Sequence, residues 1–130
     1  KISKYSKIMH IVSEVEAIRR EEIDAFVALE AVFPAGTLSG APKLRACEII
    51  QQIEKDPRGI YAGAIGYIDF SGNMDTCIAI RMAVKEKDRV GVQTGAGIVA
   101  DSVPKKEYEE TKDKASAVIE AIIRAGEVDD

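Results

Sequence analysis

The sequence predicts an α+β fold, with helices packed against a mostly antiparallel sheet in the order β-α-α-β-β-β-α. Three observations carry this. The stretch "YSKIMHIVSEVEAI", residues 5–18, alternates between two faces as a strand does. Two helix-period stretches follow it. Then "IYAGAIGYIDF", "MDTCIAIRMAVK" and "RVGVQTGAGIVA" follow one another as strands, joined by short turn-forming links, and a long amphipathic stretch closes the chain.

In the first strand Met9, Ile11, Val15 and Ala17 fall on one face, and Ile8, His10, Val12 and Glu14 on the other. "EEIDAFVALEAVF", 21–33, spaces Ile23, Phe26, Val27 and Leu29 or Glu30 as a helix does, with acids in its first turn. A loop at 34–41 is rich in Gly and Pro. Pro42 then opens "PKLRACEIIQQIEK", a helix with Leu44, Cys47, Ile50 and Ile53 turned inward. Proline suits the first helical position because that N–H has no partner. "SGN" and "EKDR" link the three strands into an expected meander. In "DSVPKKEYEETKDKASAVIEAIIRAG", 101–126, Asp101 or Ser102 caps the last helix and Gly126 stops it.

At 130 residues the chain suits one domain at most. Its 46% hydrophobic and 31% charged residues are those of a globular protein. The formal charge of -4 is diffuse, which argues against a nucleic-acid surface. No run is long enough for a membrane span. The two cysteines and one histidine leave no zinc-ligand set. Two small thiols point to a reducing compartment, the cytoplasm.

Several residues are candidates for chemistry. In the last helix Thr111, Ala115, Val118, Ile119 and Ile122 form an apolar stripe. Glu107, Glu110 and Lys114, spaced i, i+3, i+7, line its edge, while Glu109, Asp113 and Glu120 point to water. Two adjacent carboxylates repel unless a cation lies between them, and Mg²⁺ suits a site of one or two carboxylates plus water. The alternative is a solvated face with Glu110–Lys114 as a simple i,i+4 pair. Gly95, Ala96 and Gly97 close a strand, either as amides for an anion or as a bend. Neither they nor "GTLSGAPK" fit a nucleotide-binding fingerprint. Arg81 shares a strand face with the small residues Cys77, Ala79 and Ala83; it is either a carboxylate clamp or a snorkelling or paired side chain. Tyr61 beside Gly63 repeats that pattern as a packing residue or a polar tip. His10 is a structural strand residue or an acid–base group. Together these residues describe a pocket for a small polyanion.

"MHIVSEV", "FPAGTLSGAPKLRACEII", "YAGAIGYIDFSGNMDTCIAIR" and "QTGAGIVADSVPKKEYEETKDKA" resemble the C-terminal part of the chorismate-utilising enzymes, most closely their anthranilate-forming branch. The likeness runs in order along nearly the whole chain. It implies that chorismate binds with Mg²⁺ on its ring carboxylate. Ammonia, delivered by a glutamine amidotransferase subunit, adds to the ring; the ring hydroxyl leaves, and pyruvate is eliminated. It implies Glu107 and Glu110 as metal ligands and Lys114 beside the substrate carboxylate. Gly95, Ala96, Gly97 and Thr37 would face that carboxylate. Tyr61 and Arg81 would hold the enolpyruvyl side, and His10 would lie near the departing hydroxyl. Ile65 and Tyr67 would lie near the family's tryptophan feedback pocket.

The same scaffold also supports aminodeoxychorismate-forming and isochorismate- or salicylate-forming chemistry. A different class of reading is a binding or assembly module without catalysis. Family members are three to four times longer, so residues 1–130 are expected to be a C-terminal fragment of the chorismate-binding domain. The expected fragment lacks the N-terminal half that completes the site, is inactive alone, and dimerises or swaps elements to cover its open face.

Overall fold

The structure is a computed structural model that describes residues 2–4, 9–11 and 13–127, with side chains from residue 13 onward. Short strands β1 (Ile2–Lys4) and β2 (Met9–Ile11) pair antiparallel, Ser3 opposite His10. Three helices follow: α1 (Ala25–Val32), α2 (Gly36–Ser39) and α3 (Lys43–Ile53). Two hairpins come next. The first pairs β3 (Ala64–Ile68) with β4 (Met74–Ile78); the second pairs β5 (Ala83–Glu86) with β6 (Arg89–Val92). Helix α4 (Pro104–Glu127) ends the chain and packs against β6. The α+β class holds.

Local chemistry explains these boundaries. Asp24 Oδ1 accepts a hydrogen bond from the Val27 amide at 2.9 Å, so Asp24 caps α1 from outside and no acid stands in its first turn. Pro42 is the N-cap of α3 rather than its first residue. Between them the Gly/Pro stretch folds into α2, with cis bonds at Phe33–Pro34 and Ala41–Pro42. Gly40 ends α2 at φ +90°, and a Cβ there would lie 2.9 Å from that of Ala46. The left-handed conformation and the close helix contact both require glycine. The "SGN" link is tied by Asp69, whose Oδ1 accepts from the Ser71 and Asn73 amides at 2.8 and 2.9 Å.

The structure departs from the sequence reading at further points. The expected first strand stops at Ile11: residues 13–20 carry no regular structure and Val15 is 89% exposed. Ile8 and Val12 lie outside the described residues. The meander is two separate hairpins, because the middle strand breaks between Ile78 and Ala83. The Ala79 amide and carbonyl still bond Gly63 and Ala62, and then Arg81 turns the chain at φ +55°. Gly126 lies inside α4. Ser102 binds backward, accepting from the Val99 amide at 3.0 Å, rather than capping α4.

Little of this surface is covered. Among the described residues only Ala79 and Ser39 are buried. Leu44, Cys47 and Ile53, expected to face inward from α3, are exposed, and Ile50 is half-buried. The chain exposes 11371 Å². A compact monomer of 14.1 kDa exposes about 6,700 Å². Among the described residues no single helix is long and apolar enough to cross a membrane; only the bent pair Ala25–Ser39 with Lys43–Ile53 passes on length and composition.

Candidate functional site

The exit from β6 meets the middle of α4. Thr94 Oγ1 donates to the Thr111 carbonyl at 2.9 Å and fixes the strand end against the helix. One residue on, the Gly95 carbonyl accepts from Lys114 Nζ at 3.1 Å. Lys114 Nζ also pairs with Glu110 Oε1 at 2.6 Å, one turn back along α4. That hydrogen bond and the charge of Lys114 hold the Glu110 carboxyl below the usual carboxylate range. Lys114 is half-buried and Glu110 exposed, so the pair points along a rim rather than into a closed core.

Tyr61 closes the other side. A Cβ on Gly95 would stand 2.9 Å from the Tyr61 hydroxyl. The bare Cα is therefore what lets the phenol reach the strand end. Gly97 has open space where a Cβ would go, and it is exposed. Ala96, between the two glycines, is half-buried. Tyr61 also lines a cleft of about 180 Å³ with Arg58, Ile60, Met82 and Val84, next to the Gly95 contact.

Four expected site residues thus form one connected group: Tyr61, Gly95, Lys114 and Glu110. Glu107 is half-buried one turn before Glu110 on α4. Thr37 is exposed on α2. Arg81, half-buried, occupies the turn between the hairpins, not a strand face beside Cys77 and Ala83. Ile65 and Tyr67 lie on β3 opposite Cys77 and Asp75, and both are exposed. His10 is in β2, and its side chain lies outside the described residues.

Two connecting residues were not singled out from the sequence. Thr94 left no signal beyond a polar residue at a strand end. Arg58 stands in "DPRG", which reads as a linker. Its i,i+4 spacing from Glu54 on the helix before it is the one available clue.

The donor chemistry can be weighed against a hard divalent cation. Among the described residues no three His, Cys, Asp or Glu side chains gather as a metal cluster. Glu107 and Glu110 are two carboxylates one helical turn apart. That fits an ion such as Mg²⁺, which keeps several waters and takes one or two carboxylates with its substrate. It does not fit a cation needing an all-protein cage.

Known proteins resemble the chain along nearly its whole length. The family model for chorismate binding enzymes matches residues 1–120. Anthranilate synthase component 1 of Aquifex aeolicus (strain VF5) is 59% identical over 122 residues, covering 94% of this chain and 25% of the relative. The Acetivibrio thermocellus protein of that name is 54% identical over 127 residues, covering 98% and 26%. That of Geobacillus stearothermophilus is 55% identical over 124 residues, covering 95% and 24%. The chain therefore spans about a quarter of the length of these relatives. With a family match over nearly every residue, the chain belongs to the chorismate binding enzymes.

Proposed function

We propose that this chain is the part of an anthranilate synthase component 1 that carries one wall of the chorismate site. Its reaction is the Mg²⁺-dependent conversion of chorismate and ammonia to anthranilate and pyruvate, a lyase step of tryptophan biosynthesis in the cytoplasm. The observation that carries the reading is the junction of Lys114, Gly95 and Tyr61, where an ammonium, a strand-end backbone and a phenol meet. The relatives named anthranilate synthase component 1 support the same assignment.

Each residue has a task in this reading. Lys114 places positive charge beside the ring carboxylate, and the Gly95–Ala96–Gly97 backbone borders it, with Thr37 contributing from α2. Tyr61 and Arg81 hold the enolpyruvyl carboxylate, for which an Arg fork and a phenol are suited donors. Glu107 and Glu110 hold Mg²⁺, which neutralises substrate charge when bound. His10 orients or protonates the departing hydroxyl. Ammonia arrives from a glutamine amidotransferase subunit, adds to the ring as the hydroxyl leaves, and pyruvate is then eliminated. Ile65 and Tyr67 border a tryptophan feedback pocket. The surface left open here is covered by the remainder of the enzyme, or, in its absence, by a second copy through dimerisation or element exchange.

The test is product analysis on the full encoded polypeptide with chorismate, ammonium and Mg²⁺. Fluorescent anthranilate is the expected product. Aminodeoxychorismate, isochorismate, salicylate or no product at all overturns the reading. Lys114→Ala and Glu107→Gln are each expected to lower kcat/KM by about 100-fold. Removal of Mg²⁺ with a chelator abolishes turnover, and adding the ion back restores it.

A further inference from the structure

Arg58 links three parts of the molecule through one guanidinium. Nη1 donates to the Leu38 carbonyl at 3.0 Å, in α2 beside Thr37. Nε and Nη2 form a two-pronged bond to Glu54, just past the end of α3, with Nε–Oε2 at 2.7 Å. Its central carbon stands 6.0 Å from the centre of the Tyr61 ring, at the outer range of a cation–π contact. Arg58 is only 25% exposed. The contacts run on from Tyr61 to Gly95, from Gly95 to Lys114, and from Lys114 to Glu110.

We infer that Arg58 is a positioning residue that sets the Tyr61 ring against Gly95 and holds α2 in register with it. This rests on the functional reading above. Each of its three nitrogens already has a partner in Glu54 or Leu38, so its part here is to position rather than to bind substrate. A guanidinium fixed by two elements stands at one place over the ring. Lysine keeps the charge but has no planar fork, so it cannot hold Glu54, Leu38 and the ring together.

The test uses the full encoded polypeptide. Arg58→Lys is expected to raise KM for chorismate about 10-fold with kcat within about 3-fold, because a misplaced Tyr61 loses contact in ground and transition states alike. In a Tyr61→Phe background, where no hydroxyl remains to be placed, the same change costs less than about 2-fold. Glu54→Gln keeps one acceptor oxygen for Arg58 but loses the charge and one prong of the fork, while the ring contact and the Leu38 bond stay. It lowers the unfolding midpoint while leaving KM within about 2-fold. A crystal structure of Arg58→Lys should show the Tyr61 hydroxyl moved away from Gly95.

Several outcomes overturn the inference: additive effects of Arg58→Lys and Tyr61→Phe, an unchanged KM, or an unmoved Tyr61. Arg58→Gln guards against a folding defect peculiar to lysine; loss of the fold in both variants assigns Arg58 a purely structural role and also overturns it. A wild-type polypeptide that makes no anthranilate sinks the functional reading instead, and the position of Tyr61 in the variant structure still decides the role of Arg58.

Discussion

Gly95 and Arg81 show how single residues shape the site. At Gly95 a methyl group would meet the Tyr61 hydroxyl at 2.9 Å, but that atom ends a mobile side chain. Gly95→Ala should therefore leave the fold intact and displace Tyr61. The expected outcome is an unfolding midpoint close to wild type with a chorismate KM raised at least about 5-fold, read by steady-state kinetics on the full polypeptide. Gly97→Ala, where a Cβ meets no atom within 4 Å, is the matched control for Tyr61 and should leave the fold and the position of the phenol unchanged. The presence of glycines at 95 and 97 was legible in the sequence. Which of the two is needed for close approach was not, because that depends on Tyr61, more than thirty positions away. Arg81 illustrates the converse: its chemistry was plain, but its left-handed φ of +55° was hidden. Apolar alternation continues smoothly through a position where the backbone actually turns.

At the level of elements, caps and turns decided more than periodicity. Helix α1 begins at Ala25 because Asp24 accepts from the Val27 amide. Asp24→Ala should cost about 1 kcal/mol of stability, visible as a lower midpoint in thermal unfolding followed by circular dichroism. The Glu54–Arg58 bond joins the end of α3 to the turn after it. Hydrogen bonding to Arg58 depresses the Glu54 carboxyl, outweighing the opposing effect of burial. A depressed carboxyl stabilises the fold above its unfolded value and loses that contribution as the pH falls. Stability should thus begin to drop below about pH 4.3 and continue falling through the lower folded value. In Glu54→Gln the Glu54 part of that drop disappears. At neutral pH the substitution should cost no more than about 1 kcal/mol, given the partial exposure of both side chains. Comparing pH-dependent melts of the two proteins checks both points. The first strand shows a related point: alternation marks a segment able to pair, but a strand also needs a partner backbone, and residues 13–20 pair with none of the described strands.

For the molecule as a whole, area is the controlling quantity. The exposed surface exceeds that of a compact 14.1-kDa monomer by about 4,600 Å², the scale of obligate interfaces. Ile53, Leu44, Phe26 and Tyr67 are among the large apolar groups left exposed. The 130-residue chain purified alone should bind a hydrophobic dye, self-associate in sedimentation, and exchange its amides rapidly. In the full polypeptide the same amides should be protected. A monomeric, dye-free, slowly exchanging 130-residue chain would show that these faces need no cover.

By itself the sequence determined the α+β class, three of the four helices and the later strands in outline, the turn at 71–73, and the family. It also picked out Glu110 and Lys114, because spacing within one helix fixes which side chains are neighbours. The tertiary structure decided that Lys114 bonds the Gly95 carbonyl, that Tyr61 reaches the same strand end, and that Arg58 ties α2 to that phenol. It also decided that the meander splits at Arg81. The physical reason is range. Periodicity and capping act over three or four residues, whereas Lys114–Gly95, Arg58–Leu38 and Tyr61–Gly95 join residues 19, 20 and 34 positions apart, and only the folded path of the backbone brings them together.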